Sequence, residues 1–303
     1  MSVCLITGAS SFISQALAGL LERSGHEVVR ASRNPGPGMT LYDPTDVESL
    51  SALMASRAVT HVVHLAAQKN RTLTTVELTR ELLDTNLSNT LRLAEACTRT
   101  PGFCRMVFMG TCDEYGLVAT PFHEAKREAP VSAYGLSKLA ATQMLQMLHR
   151  TLGLDVVIAR PSVVYGPGQS GDMFIPALLS ALSSGRAFHM SSGNQQRDFL
   201  YIDDLLEGLA AMMLRPGIEG RIINLGAGRS TTLNEVVAQA LTLTGASEEL
   251  IVRSSEDLRQ NDLADYRVDI STAAKALEWH PRIDSQAGLA RTLDWLKGSS
   301  QSA

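Results

Sequence analysis

An α/β fold is predicted: a doubly wound parallel sheet with helices on both faces, followed by a smaller C-terminal lobe. Two observations predict it. Short apolar runs at 3–7, 28–31, 62–65, 106–109 and 156–159 alternate with helical patterns at 15–24, 47–56, 76–99 and 133–152. Runs so predominantly apolar suit strands covered on both sides. After Gly166 the alternation stops, and Pro167, Gly168, Gly171, Pro176 and Gly193 cut the chain into short segments.

Taken in order, the first run leads through Gly8 into the first helix. Asn34-Pro-Gly-Pro-Gly38 is a loop after the second run. Asp46 is placed to cap the helix at 47–56. Residues 221–225 read as one more core strand, 230–244 and 271–277 as lobe helices, and 298–303 as a frayed tail.

Composition narrows the function classes. The chain has 303 residues, 45% of them apolar, enough for a large core. A net charge of −4 with no long basic run argues against nucleic acid. The N-terminus enters a strand without a basic and apolar leader, and no stretch predicts a transmembrane span, so a cytoplasmic protein is expected. Cys4, Cys97, Cys104 and Cys112 lack metal-type spacing. No metal is expected, and Cys4 and Cys104 read as free thiols in buried strands.

Two local patterns carry chemistry. A buried strand, a tight turn at Gly8 and a helix N-terminus, in Val3-Cys-Leu-Ile-Thr7-Gly8-Ala-Ser-Ser11-Phe12-Ile13-Ser14, make an anion site suited to a dinucleotide pyrophosphate. Tyr134 and Lys138 stand four apart at the start of a predicted helix, so the ammonium can sit near the phenol. A free phenol titrates near pH ~10, and a neighbouring cation favours its anion. Tyr134 can then move a proton while a hydride is transferred.

These patterns occur with others in a fixed order. His64-Leu65-Ala66-Ala67 follows a strand, and Asn86 lies on a long helix. Thr111-Cys112-Asp113-Glu114-Tyr115-Gly116 and Tyr134/Lys138 come next. Arg160-Pro161-Ser-Val163-Val-Tyr165-Gly166, Arg197-Asp198-Phe199, Asp203-Asp204 and Arg259 with Asn261-Asp262 complete the series. From about residue 3 to about residue 282 the chain resembles the extended short-chain dehydrogenase/reductase family, in its nucleotide-sugar epimerase/dehydratase/reductase branch.

The resemblance implies a Rossmann-type dinucleotide-binding domain at 1–165, with 198–225 returning to it. A substrate lobe is expected at 166–197 and 226–297. The cofactor is expected against Gly8, Ser11, Phe12, Ile13, Ser32, Arg33, Asp43, Leu65, Ala66, Ala67, Tyr134, Lys138 and Pro161. Ser11 and Ser14 replace two glycines of the family turn. NAD-preferring relatives usually have an acid where this chain has Ser32, and Arg33 follows. Both residues can donate to a 2′-phosphate, which favours NADP over NAD. Asp43 corresponds to the acid that contacts the adenine amine.

Thr111, Tyr134 and Lys138 match the catalytic set as orienter, acid/base and electrostatic partner. Asn86, Thr111, Val163, Arg197 and Arg259 are expected on the substrate side, the two arginines at the nucleotide diphosphate. Val163 stands where many relatives have asparagine. The reaction implied first is NADPH-linked 4-ketoreduction of an NDP-4-keto-(6-deoxy)hexose. A 4-epimerase, or a 4,6- or 5,6-dehydratase using Asp113 with Cys112 or Glu114, is the alternative. A silent dinucleotide-binding regulator is the reading from another class. A homodimer is expected through the helices at 76–99 and 133–152.

Overall fold

Successive residues of the central strands feed two separate cores, which is why the runs are apolar without alternation. Ile6, Val63, Val107 and Val157 pack to one side, while Leu5, Val62, Met106, Val156 and Ile158 pack to the other. The computed structural model describes residues 2–69, 74–254 and 263–300.

Among these residues the strands are β1 Val3–Thr7, β2 Glu27–Ser32, β3 Thr40–Leu41, β4 His61–His64, β5 Arg105–Met109, β6 Val156–Pro161, β7 Val163–Tyr165, β8 Phe188–Met190, β9 Gln196–Arg197, β10 Phe199–Tyr201, β11 Ile222–Leu225, β12 Thr231–Thr232 and β13 Ile251–Arg253. The α-helices are α1 Phe12–Arg23, α2 Val47–Ser56, α3 Val76–Leu82, α4 Asn89–Arg99, α5 Ala133–Leu152, α6 Phe174–Ser183, α7 Ile202–Leu214, α8 Leu233–Thr244, α9 Ser271–Leu277 and α10 Ser285–Ser300.

Seven strands form one sheet in the order β11-β6-β5-β4-β1-β2-β3. Every adjacent pair is parallel. The order reverses between β1 and β4, the switch point where such sheets open a ligand crevice at their carboxyl ends. The remaining strands form three two-stranded pairs, β10-β7, β12-β9 and β13-β8.

Several sequence expectations shift. Helix α1 begins at Phe12 rather than Gln15, because the Ser11 hydroxyl accepts from Ser14 N and caps it. Strand β4 stops at His64, so Leu65 lies in the loop beyond it. The long helix at 76–99 contains a π-helical turn, Leu83–Ser88, between α3 and α4. Cys104 is exposed just before β5, not buried within it. Helix α10 runs through Gly298 where a frayed tail was expected, and residues 301–303 lie outside the described ones. Asp46 does cap α2, accepting from Ser49 N at 3.0 Å.

Candidate active site

At the switch point Gly8 has φ of 72°. A Cβ there would stand 2.8 Å from both N and Cα of Ala66, so only glycine lets the first turn press against the end of β4. Ala66 N donates to Thr7 Oγ1 at 3.3 Å, and Thr7 Oγ1 meets His64 Nδ1 at 2.6 Å. Burial, with Lys138 nearby, pushes His64 down to about 3. The neutral ring therefore bridges Thr7 to Thr90, whose Oγ1 lies 3.0 Å from Nε2.

Ser14 is buried in the turn, and its hydroxyl donates to Gly8 O at 2.8 Å. It also lies 2.7 Å from Ser11 Oγ, so the two serines close the turn on itself. The Phe12 and Ile13 amides, in the first turn of α1, have no intrahelical acceptor, the donor pattern that holds phosphate.

Beyond β2 the structure departs from expectation at Ser32. Its hydroxyl donates to Asn34 O at 3.1 Å and accepts from Asn34 N at 3.2 Å. In this arrangement its proton shapes the loop and is not offered to a 2′-phosphate. Arg33 is exposed and lines a cavity of about 420 Å³ with Asp43, Asp84, Asn89 and Arg92 among its neighbours. Asp43 Oδ1 accepts from Thr45 N at 2.8 Å and Thr45 Oγ1 at 2.7 Å, which holds this carboxyl below its usual range. Sequence reasoning missed Arg92, since nothing local ties a residue of α4 to the end of β2. A glycine turn, a helix N-terminus and a cavity beside β2 together fit an extended dinucleotide.

Tyr134 opens α5, whose cap is the Ser132 hydroxyl accepting from Gly135 N at 3.0 Å. The phenol side chain is buried near Leu82, Ala67 and Leu78. Lys138 is buried one turn on, its Nζ 4.1 Å from the centre of the Phe108 ring. Burial pushes this ammonium down to about 7, with Glu114 opposing the shift.

Thr111 follows β5 and caps the 3-10 turn Cys112–Glu114, accepting from Asp113 N at 3.2 Å. A Cβ on Gly135 would lie 2.6 Å from Asp113 O. The turn bearing Thr111 thus rests directly on the first turn of α5, beside Tyr134. Asn86 lies in the π turn and is buried. Its amide donates to Gln68 O and Ser137 Oγ, each at 3.0 Å, and accepts from Gln68 N at 2.8 Å. Those bonds fasten the loop after β4 to α5.

The groups named for elimination are differently placed. Glu114 is fully buried and accepts from Arg160 Nε at 2.8 Å, Thr142 Oγ1 at 2.9 Å and Thr111 N at 3.0 Å. Burial raises this carboxyl above its usual range, and the Arg160 guanidinium opposes the shift. Cys112 is buried in an apolar cluster with Tyr115, Phe122 and Val268. Asp113 accepts from the Tyr266 hydroxyl at 2.6 Å.

On the lobe side, Pro161 ends β6 in register with Leu225, and Val163 opens β7 opposite Phe199. Arg197 is half-buried and donates to Gln196 O at 2.8 Å and Leu263 O at 3.0 Å. Asp198 is buried, accepting from the amides of Ala227, Gly228 and Val268 and from Ser162 Oγ. Arg259, Asn261 and Asp262 lie outside the described residues.

A doubly wound parallel sheet with a glycine turn at its switch point defines a Rossmann-type dinucleotide-binding protein. Residues 4–226 match the family model described as NAD dependent epimerase/dehydratase family. The chain belongs to that family and is an enzyme of the extended short-chain dehydrogenase/reductase type, rather than a silent dinucleotide binder.

It is 29% identical to a UDP-glucuronate 4-epimerase of Thermodesulfobacterium geofontis, over 98% of this chain and 97% of that protein. A dTDP-glucose 4,6-dehydratase of Streptomyces griseus is 30% identical, over 96% of this chain and 93% of that one. Among solved structures, MoeE5 in complex with UDP-glucose and NAD is 31% identical with a TM-score of 0.87, covering 99% of this chain and 100% of that one. Among the described residues, no helix is long and apolar enough to cross a membrane.

Proposed function

We propose that this enzyme is a nucleotide-sugar 4-epimerase. The observation that carries the reading is the burial of Glu114 against Arg160, Thr142 and the Thr111 amide, which commits to the fold one of the three groups, Asp113, Cys112 and Glu114, on which elimination would draw. The similar UDP-glucuronate 4-epimerase, and MoeE5 bound to UDP-glucose, support the same substrate class.

Bound NAD would supply a hydride acceptor, and then a hydride donor, at sugar C4. Thr111 orients the 4-hydroxyl. Tyr134 takes its proton as the carbonyl forms, and the buried Lys138 stabilises the phenolate. Tyr134 returns the proton after the keto-sugar has presented its other face. Arg197, with Arg259, is assigned to the diphosphate. A homodimer through α3, α4 and α5, where Leu91, Leu136 and Met147 are exposed, belongs to the same reading.

A second reading, the NADPH-linked 4-ketoreductase, uses the same three residues. One observation favours it: Arg33 and Arg92 both line the cavity beyond β2, where a 2′-phosphate would lie. The two are separated by incubating the protein with UDP-glucose, UDP-glucuronate or dTDP-glucose without added cofactor and resolving the products. A C4 epimer supports the first reading. A 4-keto-6-deoxy sugar overturns it in favour of dehydration. No product until a 4-keto sugar and NADPH are supplied moves the reductase to first place.

A further inference from the structure

The segment at 263–269 is a bridge between the lobe and the catalytic turn. Gln196 N donates to Ala264 O at 2.7 Å and Asp198 N to Tyr266 O at 3.1 Å, which lays the segment along β9. On its other side Phe122 N donates to Arg267 O at 2.7 Å. Tyr266 is thereby fixed from both flanks. Its ring meets Phe122 edge-on, with centroids 5.1 Å apart, and the Arg197 guanidinium lies 5.7 Å from its centre. Its hydroxyl reaches Asp113 Oδ1 at 2.6 Å, across 153 positions of sequence.

Asp113 is the residue through which the catalytic turn is held. Its amide bonds the Thr111 hydroxyl at 3.2 Å, and a Cβ on Gly135 would come within 2.6 Å of its carbonyl. Moving Asp113 therefore moves Thr111 relative to Tyr134. No motif of the sequence singles out Tyr266.

We propose that Tyr266 is a positioning residue for hydride transfer. Its hydroxyl pins Asp113, and so the Thr111 hydroxyl, against the first turn of α5. The Arg197 guanidinium lies over its ring. On the reading above, that arginine holds the substrate diphosphate, so occupancy of the lobe is communicated to the group that orients the reacting hydroxyl. The phenol touches no reacting atom. It acts by keeping Thr111 in place, and proximity effects are steep enough that small displacements cost rate more than affinity.

The test is Tyr266→Phe in the full chain, which keeps the ring contacts and removes one hydrogen bond to a carboxylate. The expected result is a fall in kcat of about tenfold or more with KM for the nucleotide sugar unchanged. Thermal stability should stay near wild type, and amide exchange should quicken in the peptide at 111–115. A Tyr266→Phe/Asp113→Ala double variant should be no slower than Asp113→Ala, since both changes break the same link.

Unchanged kcat with unchanged exchange at 111–115 overturns the proposal. So does a loss residing in KM, which would make Tyr266 a substrate contact, or a loss matched by global destabilisation. If the wild type turns over no nucleotide sugar, the functional reading fails. The exchange comparison, needing no substrate, still decides the role of Tyr266.

Discussion

The hydroxyls of Ser11 and Ser14 lie 2.7 Å apart, and only Ser11 can be the donor between them. Ser14 has one proton, and it goes to the Gly8 carbonyl, which cannot donate. Ser11 Oγ also accepts from Ser14 N. Its proton is thus directed at Ser14 and is not offered to a dinucleotide pyrophosphate, whose expected site is this turn. Ser11→Gly removes that oxygen and costs only a few tenths of a kcal/mol in capping. The dissociation constant for NAD should fall about fivefold, measured by calorimetric titration. Weaker binding by the variant would show that Ser11 turns to donate to phosphate.

Gly135→Ala sets two effects against each other. Alanine favours an exposed helix by about 1 kcal/mol over glycine. Here, however, the added methyl would lie 2.6 Å from the Asp113 carbonyl, a backbone atom that cannot rotate aside. The clash should prevail and push the Thr111 turn off α5. The expected outcome is a loss of kcat of about tenfold to a hundredfold, with a melting temperature lower by a few degrees.

Lys138 links stability to pH with a definite sign. Its folded value is lowered to about 7 from 10.5. Below pH 7 both folded and unfolded chains hold the proton, and the fold carries the whole cost of a buried ammonium. As pH rises from 7 toward 10.5 the unfolded chain binds the extra proton, and that cost fades. Lys138→Met should therefore stabilise the fold most at pH 6, by roughly 2–4 kcal/mol, and progressively less at pH 8 and 9.5. Urea unfolding at the three pH values measures this, and an equal gain at all three would contradict the shift.

Glu114→Gln breaks a buried ion pair while preserving shape. Arg160 keeps Glu128, 2.8 Å away, as a second partner, so a loss of roughly 1–3 kcal/mol is expected, seen as a lower melting temperature. Any folded fraction should keep the wild-type KM. A stable variant with a selective loss of turnover would place Glu114 at the sugar instead.

Local chemistry made some of this readable in advance. Helix α5 covers the predicted span 133–152, and the structure shows why it stops there: Ser132 caps one end, and Gly153 closes the other with φ of 69°. The Tyr134/Lys138 pair is visible from its spacing of four, whereas Thr111 is reached only through the family resemblance. What escaped has two physical causes. Helices α6 and α7 bury residues at helical spacing, but they follow the glycines and prolines after Gly166 that cut the strand–helix alternation, so the sequence pattern does not assign them as elements. The pairs Glu114–Arg160 and Asp113–Tyr266 join residues 46 and 153 positions apart. Such contacts exist only after the sheet has formed. The π turn at 83–88 was hidden for a related reason, because one added residue barely disturbs a helical pattern yet turns Asn86 inward.

The route of the chain through the sheet also sets a timetable. Strand β6 ends at Pro161, but its outer neighbour β11 begins only at Ile222. During synthesis the ribosome must add roughly 60 residues before that edge can be covered, a delay of roughly 3–12 s at ordinary elongation rates. For that interval a wholly buried strand would offer unpaired backbone along one side, the pairing template from which aggregation starts. A nascent chain arrested near residue 200 should therefore be a substrate for chaperones, while one released beyond residue 225 has the means to close its own sheet.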